Sequence, residues 1–381
     1  MLRSVAYSCT VMWTADKPFN SLPDLPPPID VESKHVLKQV TEARAALASL
    51  DQAARRIPNP SVLLNSIPLL EAQASSEIEN IVTTADELFT ADQLDAESAR
   101  PEAKEALRYR AALLDGVRSV RQRPLSTNTL IAICSTLQAR EMRVRDLAGT
   151  FIGNPVTREA IYTPPEGQRL LLERLDAWAR FAHSNATLDP LVLMALAHYQ
   201  FEAIHPFSDG NGRTGRIVNI LLLIERGLLR EPILYLSRYI IQNKSEYYRL
   251  LLAVTAEASW EEWVSFMLEG IRQTALSTVE KIDDIQLLHR EMQAELRAAL
   301  PGGANADLLD VLFEQPFCRI TTVMERCGVS RPTATKWLKL LAEAEILVPL
   351  KLGKSLIFVN GRFFSLLTRS ERAPEPTPTL F

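Results

Sequence analysis

Glycine is scarce in this sequence, and no long apolar run is present. Glycine accounts for only 14 of 381 residues, while Leu, Ala and Glu are abundant, so the composition favours a mainly helical protein. No stretch of 18 apolar residues occurs, so the sequence predicts no helix that spans a membrane. Polar residues interrupt the mildly apolar N-terminal segment MLRSVAYSCTVMWTADK, and we therefore expect no secretory signal.

Cysteines are also few, and neither sign of charge dominates. The four cysteines (Cys9, Cys134, Cys318 and Cys327) form no CxxC pair, so neither a zinc ribbon nor a disulfide framework is indicated. A reducing, cytoplasmic location fits this usage best. The chain has 46 acidic and 42 basic residues and a net charge of −4. This balance excludes a wholly basic nucleic-acid coat and a disordered acidic tail protein.

The chain length predicts two to three domains of roughly 150 residues each. Apolar residues at steps of three and four predict helices through most of the chain. Residues 148–167 instead alternate β-prone pieces with Gly, Asn and Pro, which predicts a hairpin or extended flap. The predicted units are an N-terminal helical region (1–120) with a helix at about 68–82, a core (121–275), a linker helix (276–302), a winged helix-turn-helix domain (303–369) and a flexible tail (370–381).

The segment HPFSDGNGRTGR, residues 205–216, carries the densest chemical signal. Gly210 and Gly212 allow a tight turn with exposed N–H groups. Those groups and the positive end of the following helix make an anion site. Arg213 and Arg216 are three residues apart, so both project near one helix face and suit a di- or triphosphate.

Two more side chains complete this pattern. Asp209 lies at the rim, where its carboxylate suits Mg²⁺ bound to phosphate oxygens. His205 has a side chain suited to accepting a proton at neutral pH. A Walker P-loop is excluded because GxxxxGK[ST] is absent, and a Rossmann fingerprint is excluded because a helix precedes the loop and GNGRTG has the wrong spacing.

HPFSDGNGRTGR resembles the Fic motif, HxFx(D/E)GNGRxxR, at every defined position. Fic proteins are helical enzymes with a small hairpin flap, and most transfer AMP from ATP to a hydroxyl side chain of a protein. The resemblance implies that His205 deprotonates a Ser, Thr or Tyr hydroxyl and that Asp209 binds Mg²⁺. It implies a nucleotide site made of Glu79, Asp209, Gly210, Asn211, Gly212, Arg213, Thr214, Gly215 and Arg216, with the two arginines on the β- and γ-phosphates.

The resemblance spans about residues 18–270 and includes EALRYRAAL and LYLSRYIIQNKSEYYRLL. It implies that the flap aligns the backbone of a target protein beside the site by strand addition. It also makes a homodimer and modification of the protein itself plausible. The stretch RVRDLAGTFIGN departs from the commoner family form, which has an Arg after the Gly-aromatic pair.

The helix predicted at 68–82, with Pro68 in its first turn, contains Ser75-Ser76-Glu77-Ile78-Glu79-Asn80. This hexapeptide is similar to the family's inhibitory motif, (S/T)xxxE(G/N). The resemblance implies that Glu79 pairs with Arg216 and occupies the place that the γ-phosphate needs, with Ser75 as a second regulatory residue. The hexapeptide alone favours a solvated helix acid at Glu79, the usual position of a glutamate, and only the intact motif at 205–216 favours the inhibitory role.

The C-terminal unit predicts a helix-turn-helix followed by a hairpin, which resembles a winged helix. Residues 319–362 have eight basic and three acidic side chains, a local net charge of +5. Such a domain could grip DNA phosphates, with Arg331, Thr333 and Lys336 facing a major groove. Docking of a protein on the same domain stays open.

Three functions are therefore weighed from the sequence. The first is an autoinhibited protein adenylyltransferase, and the second is removal of AMP from a modified protein by a water that Glu79 orients. The third is a DNA-binding regulator whose core only senses nucleotide, although a sensor needs no base at His205. His198 lies two helical turns before His205, but without a third ligand we interpret it as a hydrogen-bonded helix residue rather than a metal ligand.

Overall fold

The computed structural model describes residues 13–57, 59, 61–93, 99–154, 157, 159–184, 187–300, 306–352 and 355–369. The predictions for Cys9, for a boundary at Pro301-Gly302-Gly303 and for the tail lie outside these residues. The prediction of a mainly helical protein with a small hairpin is confirmed. No helix of the described ranges is long and apolar enough to cross a membrane.

The described residues form fifteen helices and five strands. In chain order they are α1 (Lys34–Arg55), α2 (Ser61–Ile78), α3 (Ala85–Gln93), α4 (Pro101–Val120), α5 (Thr127–Gln138), β1 (Ile152–Asn154), β2 (Glu159–Tyr162), α6 (Gln168–Ser184), α7 (Pro190–Ile204), α8 (Asn211–Glu225), α9 (Leu236–Gln242), α10 (Lys244–Glu257), α11 (Trp260–Ala299), α12 (Ala306–Glu314), β3 (Phe317–Arg319), α13 (Ile320–Cys327), α14 (Arg331–Glu343), β4 (Val348–Leu352), β5 (Ser355–Val359) and α15 (Gly361–Thr368).

Helices α7 and α8 form the centre of the molecule. Both are buried on nearly every side; α7 is apolar on most of its faces, whereas the first turns of α8 bury polar residues, two arginines among them. The start of helix α7 is well defined. The Asp189 side chain caps it by accepting a hydrogen bond from the Leu191 N–H, and Pro190 occupies the first helical position. Helices α2, α4, α6 and α11 pack around this pair, so the loop between α7 and α8 is held on a rigid base.

Helix α2 differs from the prediction. It begins at Ser61 rather than near residue 68, and Pro68 lies inside it rather than in its first turn. A proline inside a helix removes one backbone hydrogen bond. Here Leu63, Ile67 and Leu70 are all buried, and their packing offsets that loss. Ser75 therefore lies in the last turn of α2, and Glu79 directly follows its end.

The predicted linker helix is not a separate element. Residues 276–299 continue α11 from Trp260 without a break, so the boundary predicted at 275/276 falls inside a helix of 40 residues. The buried face of α11 continues through this segment with Ile282, Ile285 and Met292, and α11 packs along α1.

Two small sheets complete the fold. Strand β1 pairs antiparallel with β2, so the flap is a hairpin. A second sheet, of order β3-β5-β4, lies in the C-terminal unit; the sequence predicted its hairpin, but neither β3 nor α15. This unit packs on the N-terminal region, where Phe89 stacks on Phe317 at 6.2 Å and meets Phe364 edge-on at 6.0 Å.

Candidate functional site

The loop between α7 and α8 is closed by its own side chains. Helix α7 ends at His205, whose φ of 49° turns the chain away from the helix. The Asn211 side chain accepts from the Phe207 N–H and donates to the Phe207 carbonyl, both at 2.8 Å. The resemblance implied a role for Asn211 in the phosphate site, and in the structure its side chain closes the loop with its oxygen and one amide N–H.

Helix α8 begins at a bare N-terminus. Gly210 precedes it with a φ of 78°, and no side chain caps the helix. The first N–H to bond within the helix belongs to Thr214, which donates to the Gly210 carbonyl at 3.0 Å. Residues 211–213 therefore carry N–H groups without intrahelical acceptors at the positive end of a helix. A Cβ on Gly212 would lie 2.7 Å from Glu79 Oε1, so a larger residue there would displace the Glu79 carboxylate.

Glu79 bridges the two arginines of α8. Its Oε1 accepts from Arg216 Nη2 at 2.8 Å, and its Oε2 lies 2.7 Å from Arg213 Nε. The sequence predicted only the contact with Arg216. Both arginine side chains are almost inaccessible to solvent, at 2% and 3% exposure, so neither charge is solvated by bulk water. Arg213 also pairs with Glu105, a residue that the sequence did not single out.

Ser75 holds Arg216 directly. The Ser75 hydroxyl accepts from Arg216 Nε at 2.7 Å, and the Ser75 carbonyl accepts from Nη2 at 2.9 Å. Burial alone would lower the pKa of Arg216, but Glu79, Tyr247, Glu202 and Tyr109 together outweigh it and the pKa is raised. Arg216 is therefore fixed as a cation in one orientation.

The turn after α2 explains why asparagine follows Glu79. Asn80 has a φ of 63°, a left-handed conformation that asparagine tolerates better than most residues. The Ile81 N–H donates to the Ser76 carbonyl at 3.0 Å, and the Asn80 N–H donates to the Glu77 carbonyl at 2.9 Å. This double pattern ends the helix and leaves Glu79 as its capping residue. Lys244 of α10 fixes the turn through the Asn80 side chain at 3.0 Å.

His205 has the protonation state of a general base. Burial and the charge of Arg145 lower the pKa of His205 to about 4, so its imidazole is unprotonated at pH 7. Its Nδ1 is buried and has no hydrogen-bond partner in the described part of the chain. Arg145 is buried too; it donates from Nε to the His205 carbonyl at 2.8 Å and from Nη2 to the Pro165 carbonyl. Sequence reasoning missed Arg145, because no spacing links it to the loop.

These residues surround a cavity of about 360 Å³. Of the predicted site residues, it is lined by His205, Asp209, Gly210, Asn211, Gly212, Arg216 and Glu79. Arg213, Thr214 and Gly215 are not among its lining residues. Tyr199, Tyr247 and Ile161 of the flap also line the cavity, so its lining combines apolar and charged side chains.

Asp209 is the one predicted metal ligand. Its side chain is 60% exposed, and its Oδ1 accepts from the Gly210 N–H at 2.7 Å. Within the described ranges, no group of three His, Cys, Asp or Glu residues could hold a metal ion. Mg²⁺ commonly binds through one carboxylate together with substrate phosphates and water, and Asp209 at the rim fits that mode.

Two further ionisable groups lie around Arg216. His198 Nε2 is 2.9 Å from the Tyr247 hydroxyl, and its ring stacks on Trp263, which agrees with a hydrogen-bonded helix histidine. Glu202 lines the cavity, and its Oε1 is buried without a hydrogen-bond partner among the described residues. The sequence did not single out Glu202, since an acid near a helix end carries no signal by itself.

Comparisons with known proteins agree with this geometry. Three family models match in succession: Fic/DOC family N-terminal at residues 37–118, Fic/DOC family at 124–223 and the C-terminal domain of SoFic-like protein adenylyltransferases at 288–363. The chain is 36% identical over 127 residues to the protein adenylyltransferase Fic of Drosophila melanogaster, and 34% identical over 110 residues to that of Drosophila grimshawi. These matches cover 33% and 29% of the chain but only 24% and 21% of the relatives, about a quarter of their length.

Solved structures resemble the whole arrangement. A Fic family protein from Desulfovibrio desulfuricans superposes with a TM-score of 0.52 at 21% identity, covering 88% of this chain and 98% of that one. A fragment of Fic-1 from C. elegans gives 0.51 at 18% identity, with 64% and 72% covered. At such identities the likeness supports the fold alone.

Proposed function

Since the chain belongs to the Fic family, we propose that it is an autoinhibited protein adenylyltransferase. It transfers AMP from ATP to a Ser, Thr or Tyr hydroxyl of a target protein, including itself. The observation that carries this proposal is the cavity in which the neutral imidazole of His205 and the buried cation of Arg216 flank a bare helix N-terminus. Such a site binds a polyphosphate at one end and removes a proton at the other.

The chemistry follows from these positions. The hydroxyl oxygen of the target attacks the α-phosphorus of ATP, while His205 accepts the hydroxyl proton. The bond from the α-phosphorus to its bridging oxygen breaks, and pyrophosphate leaves. The N–H groups of residues 211–213 and the Arg216 guanidinium stabilise the charge on the phosphates. When bound, Mg²⁺ would be held by Asp209 and would neutralise phosphate charge at the rim.

Autoinhibition is proposed from the contacts of Glu79. Its carboxylate lies on both arginines of α8, where the terminal phosphate of ATP would need a cation. Because Glu79 belongs to the same chain, it competes at high effective concentration at any ATP level. ATP binds productively only when this carboxylate leaves. Ser75 supports the same arrangement by orienting Arg216.

The test uses the Glu79→Gly variant with ATP labelled on either the α- or the γ-phosphate, in the presence of Mg²⁺. If AMP is transferred, the modified protein keeps the α-label and does not keep the γ-label. Adding His205→Ala in the same background should remove the incorporation. Retention of the γ-label would indicate phosphoryl transfer and would contradict the proposal.

We propose a second function for the C-terminal unit, residues 303–369 of the predicted domain, as a binder of nucleic-acid phosphates. Arg331, Lys336 and Lys339 are exposed on α14, and none has an acidic partner among the described residues. By contrast, Arg326 and Arg362 are paired with acidic side chains. An unpaired cationic helix face suits a phosphate backbone.

A homodimer and a cytoplasmic location stay predictions from the sequence.

A further inference from the structure

Glu202 is a partly buried acid that the proposed reaction does not use. It lies on α7, three residues before His205, and lines the cavity together with Arg216 and Glu79. Its Oε1 is buried and has no hydrogen-bond partner in the part of the chain that the structure describes. Burying a carboxylate oxygen without a partner is costly, so such a group either takes up a proton or pairs with a cation.

The surroundings of Glu202 offer one nearby cation. Gly215 of α8 leaves the space that Glu202 occupies, because a Cβ there would collide with its Oε1. Arg216 attracts the ionised form of Glu202, whereas Glu79 repels it. Burial is the largest effect and raises the pKa of Glu202 to about 7 while Glu79 is in place.

The other groups around this acid are uncharged at neutral pH. On the same helix, burial lowers the pKa of His198 to about 3 and that of His205 to about 4, so both rings are neutral. On α10, the pKa values of Tyr247 and Tyr248 are raised by burial, so both phenols keep their protons. The charge of Glu202 is therefore decided by Arg216 and by whichever anion lies on Arg216.

We propose that Glu202 carries a proton while an anion, either Glu79 or a nucleotide phosphate, lies on Arg216, and that it ionises to pair with Arg216 when that anion leaves. The inference rests on the proposed function for the identity of the phosphate. It makes Glu202 a positioning residue, because its carboxylate neutralises the charge of Arg216 when neither Glu79 nor a phosphate does so. An acid at this place can repel nucleotide only when it has lost its proton.

The consequence is a proton linked to nucleotide binding. In a chain that lacks the Glu79 carboxylate, Glu202 is ionised before ATP binds and protonated afterwards. ATP binding should then take up a proton, and its affinity should weaken by up to about tenfold per pH unit between the lower pKa of Glu202 in the free state and its higher pKa in the bound state. The intact chain exchanges one anion for another on Arg216 and should show little proton uptake.

The experiment is calorimetry of ATP binding at pH 7 with Mg²⁺, in two buffers of different ionisation enthalpy. The background is Glu79→Gly with His205→Ala, which removes the carboxylate on Arg216 and prevents turnover. We expect uptake of a measurable fraction of a proton, which Glu202→Gln abolishes while ATP still binds. Glu173→Gln, an exposed acid on α6, is the neutral control and should leave the uptake unchanged.

Glu71→Gln is the sharper control, because Glu71 is also buried near Arg216 and its pKa is raised to about 7 by burial. Ser237 and Tyr109 already bond its carboxylate, so we expect no change on ATP binding. Uptake that is lost with Glu71→Gln but kept with Glu202→Gln would overturn the inference. The inference would also be overturned if ATP binding caused no proton uptake in the Glu79→Gly, His205→Ala protein with Glu202 intact. That measurement needs no substitution at Glu202. Absence of any ATP binding would instead refute the proposed nucleotide site.

Discussion

Replacing Glu79 by glycine tests the proposed autoinhibition most directly. The substitution removes a carboxylate that contacts Arg216 Nη2 at 2.8 Å and lies 2.7 Å from Arg213 Nε. Arg216 keeps its two hydrogen bonds with Ser75, so the guanidinium stays in place. Glu79 caps the end of α2 rather than lying within it, and Asn80 still ends the helix. The change therefore frees the phosphate site without removing its cations.

The size of the effect follows from the two ion pairs that the glycine removes. A charge-assisted hydrogen bond is worth about 1.5–3 kcal/mol, or about 10- to 150-fold in the occupancy of the productive pose. Glu79 makes one such hydrogen bond, with Arg216, and a close ion pair with Arg213, but its carboxylate is 23% exposed and partly solvated, which reduces the strength of both. We expect AMP transfer, including transfer onto the protein itself, to rise at least about tenfold.

The assay is the initial rate of α-label incorporation at saturating ATP. Glu77→Gly is the matched control, because Glu77 is an exposed acid in the last turn of the same helix and should give no rise. Arg216→Ala should also stay slow, alone or combined with Glu79→Gly, since it removes the phosphate clamp together with the partner of Glu79. Equal rates for the intact chain and Glu79→Gly would return Glu79 to an ordinary helix acid.

Four further outcomes are expected. His205→Ala should lower transfer by roughly 10²–10⁴-fold with ATP binding retained; in the unmodified site, transfer should persist down to about pH 5 and fall towards pH 4, because the imidazole is protonated only there. Asp209→Ala should raise the Mg²⁺ concentration needed for half-maximal transfer, and activity in excess chelator would contradict the metal assignment. Ser75→Ala should give a smaller rise than Glu79→Gly, as the ion pairs of Glu79 remain. In the full chain, Lys336→Glu with Lys339→Glu should abolish any salt-sensitive binding of labelled duplex DNA measured by anisotropy; binding that is independent of salt would favour protein docking.

The site was largely predictable where its residues are close in sequence. The twelve residues from His205 to Arg216 bring a base, an anion-binding turn and two cations together whatever the rest of the chain does. Apolar periodicity likewise predicted helices through most of the chain, and the long, strongly apolar α7 is one of them. Both features depend on residues that are neighbours in the chain, so they can be predicted from a single sequence.

The remaining features depend on interactions between distant segments. Arg145 fixes His205 from 60 residues away, and Glu105 reaches Arg213 from 108 residues away. Glu202 is near the loop in sequence, but its burial follows from the fit of α7 against Gly215. The early start of α2 had the same origin, since tertiary packing outweighs the local preference of Pro68. No residue spacing in the sequence predicts these contacts or the start of α2.

Release of the phosphate site has to be local to the end of α2. Ser75 is fully buried, and Glu71, one turn earlier, is fixed by Ser237 and Tyr109, so shifting the whole helix would break a buried polar network. Glu79 lies beyond these anchors, and its side chain is partly exposed. In the proposed autoinhibition, a rotation of its side chain or unwinding of the turn at Asn80 would free both arginines. The buried bonds of α2 would then orient Arg216 in the inhibited and the open state alike, and the capping residue would distinguish the two.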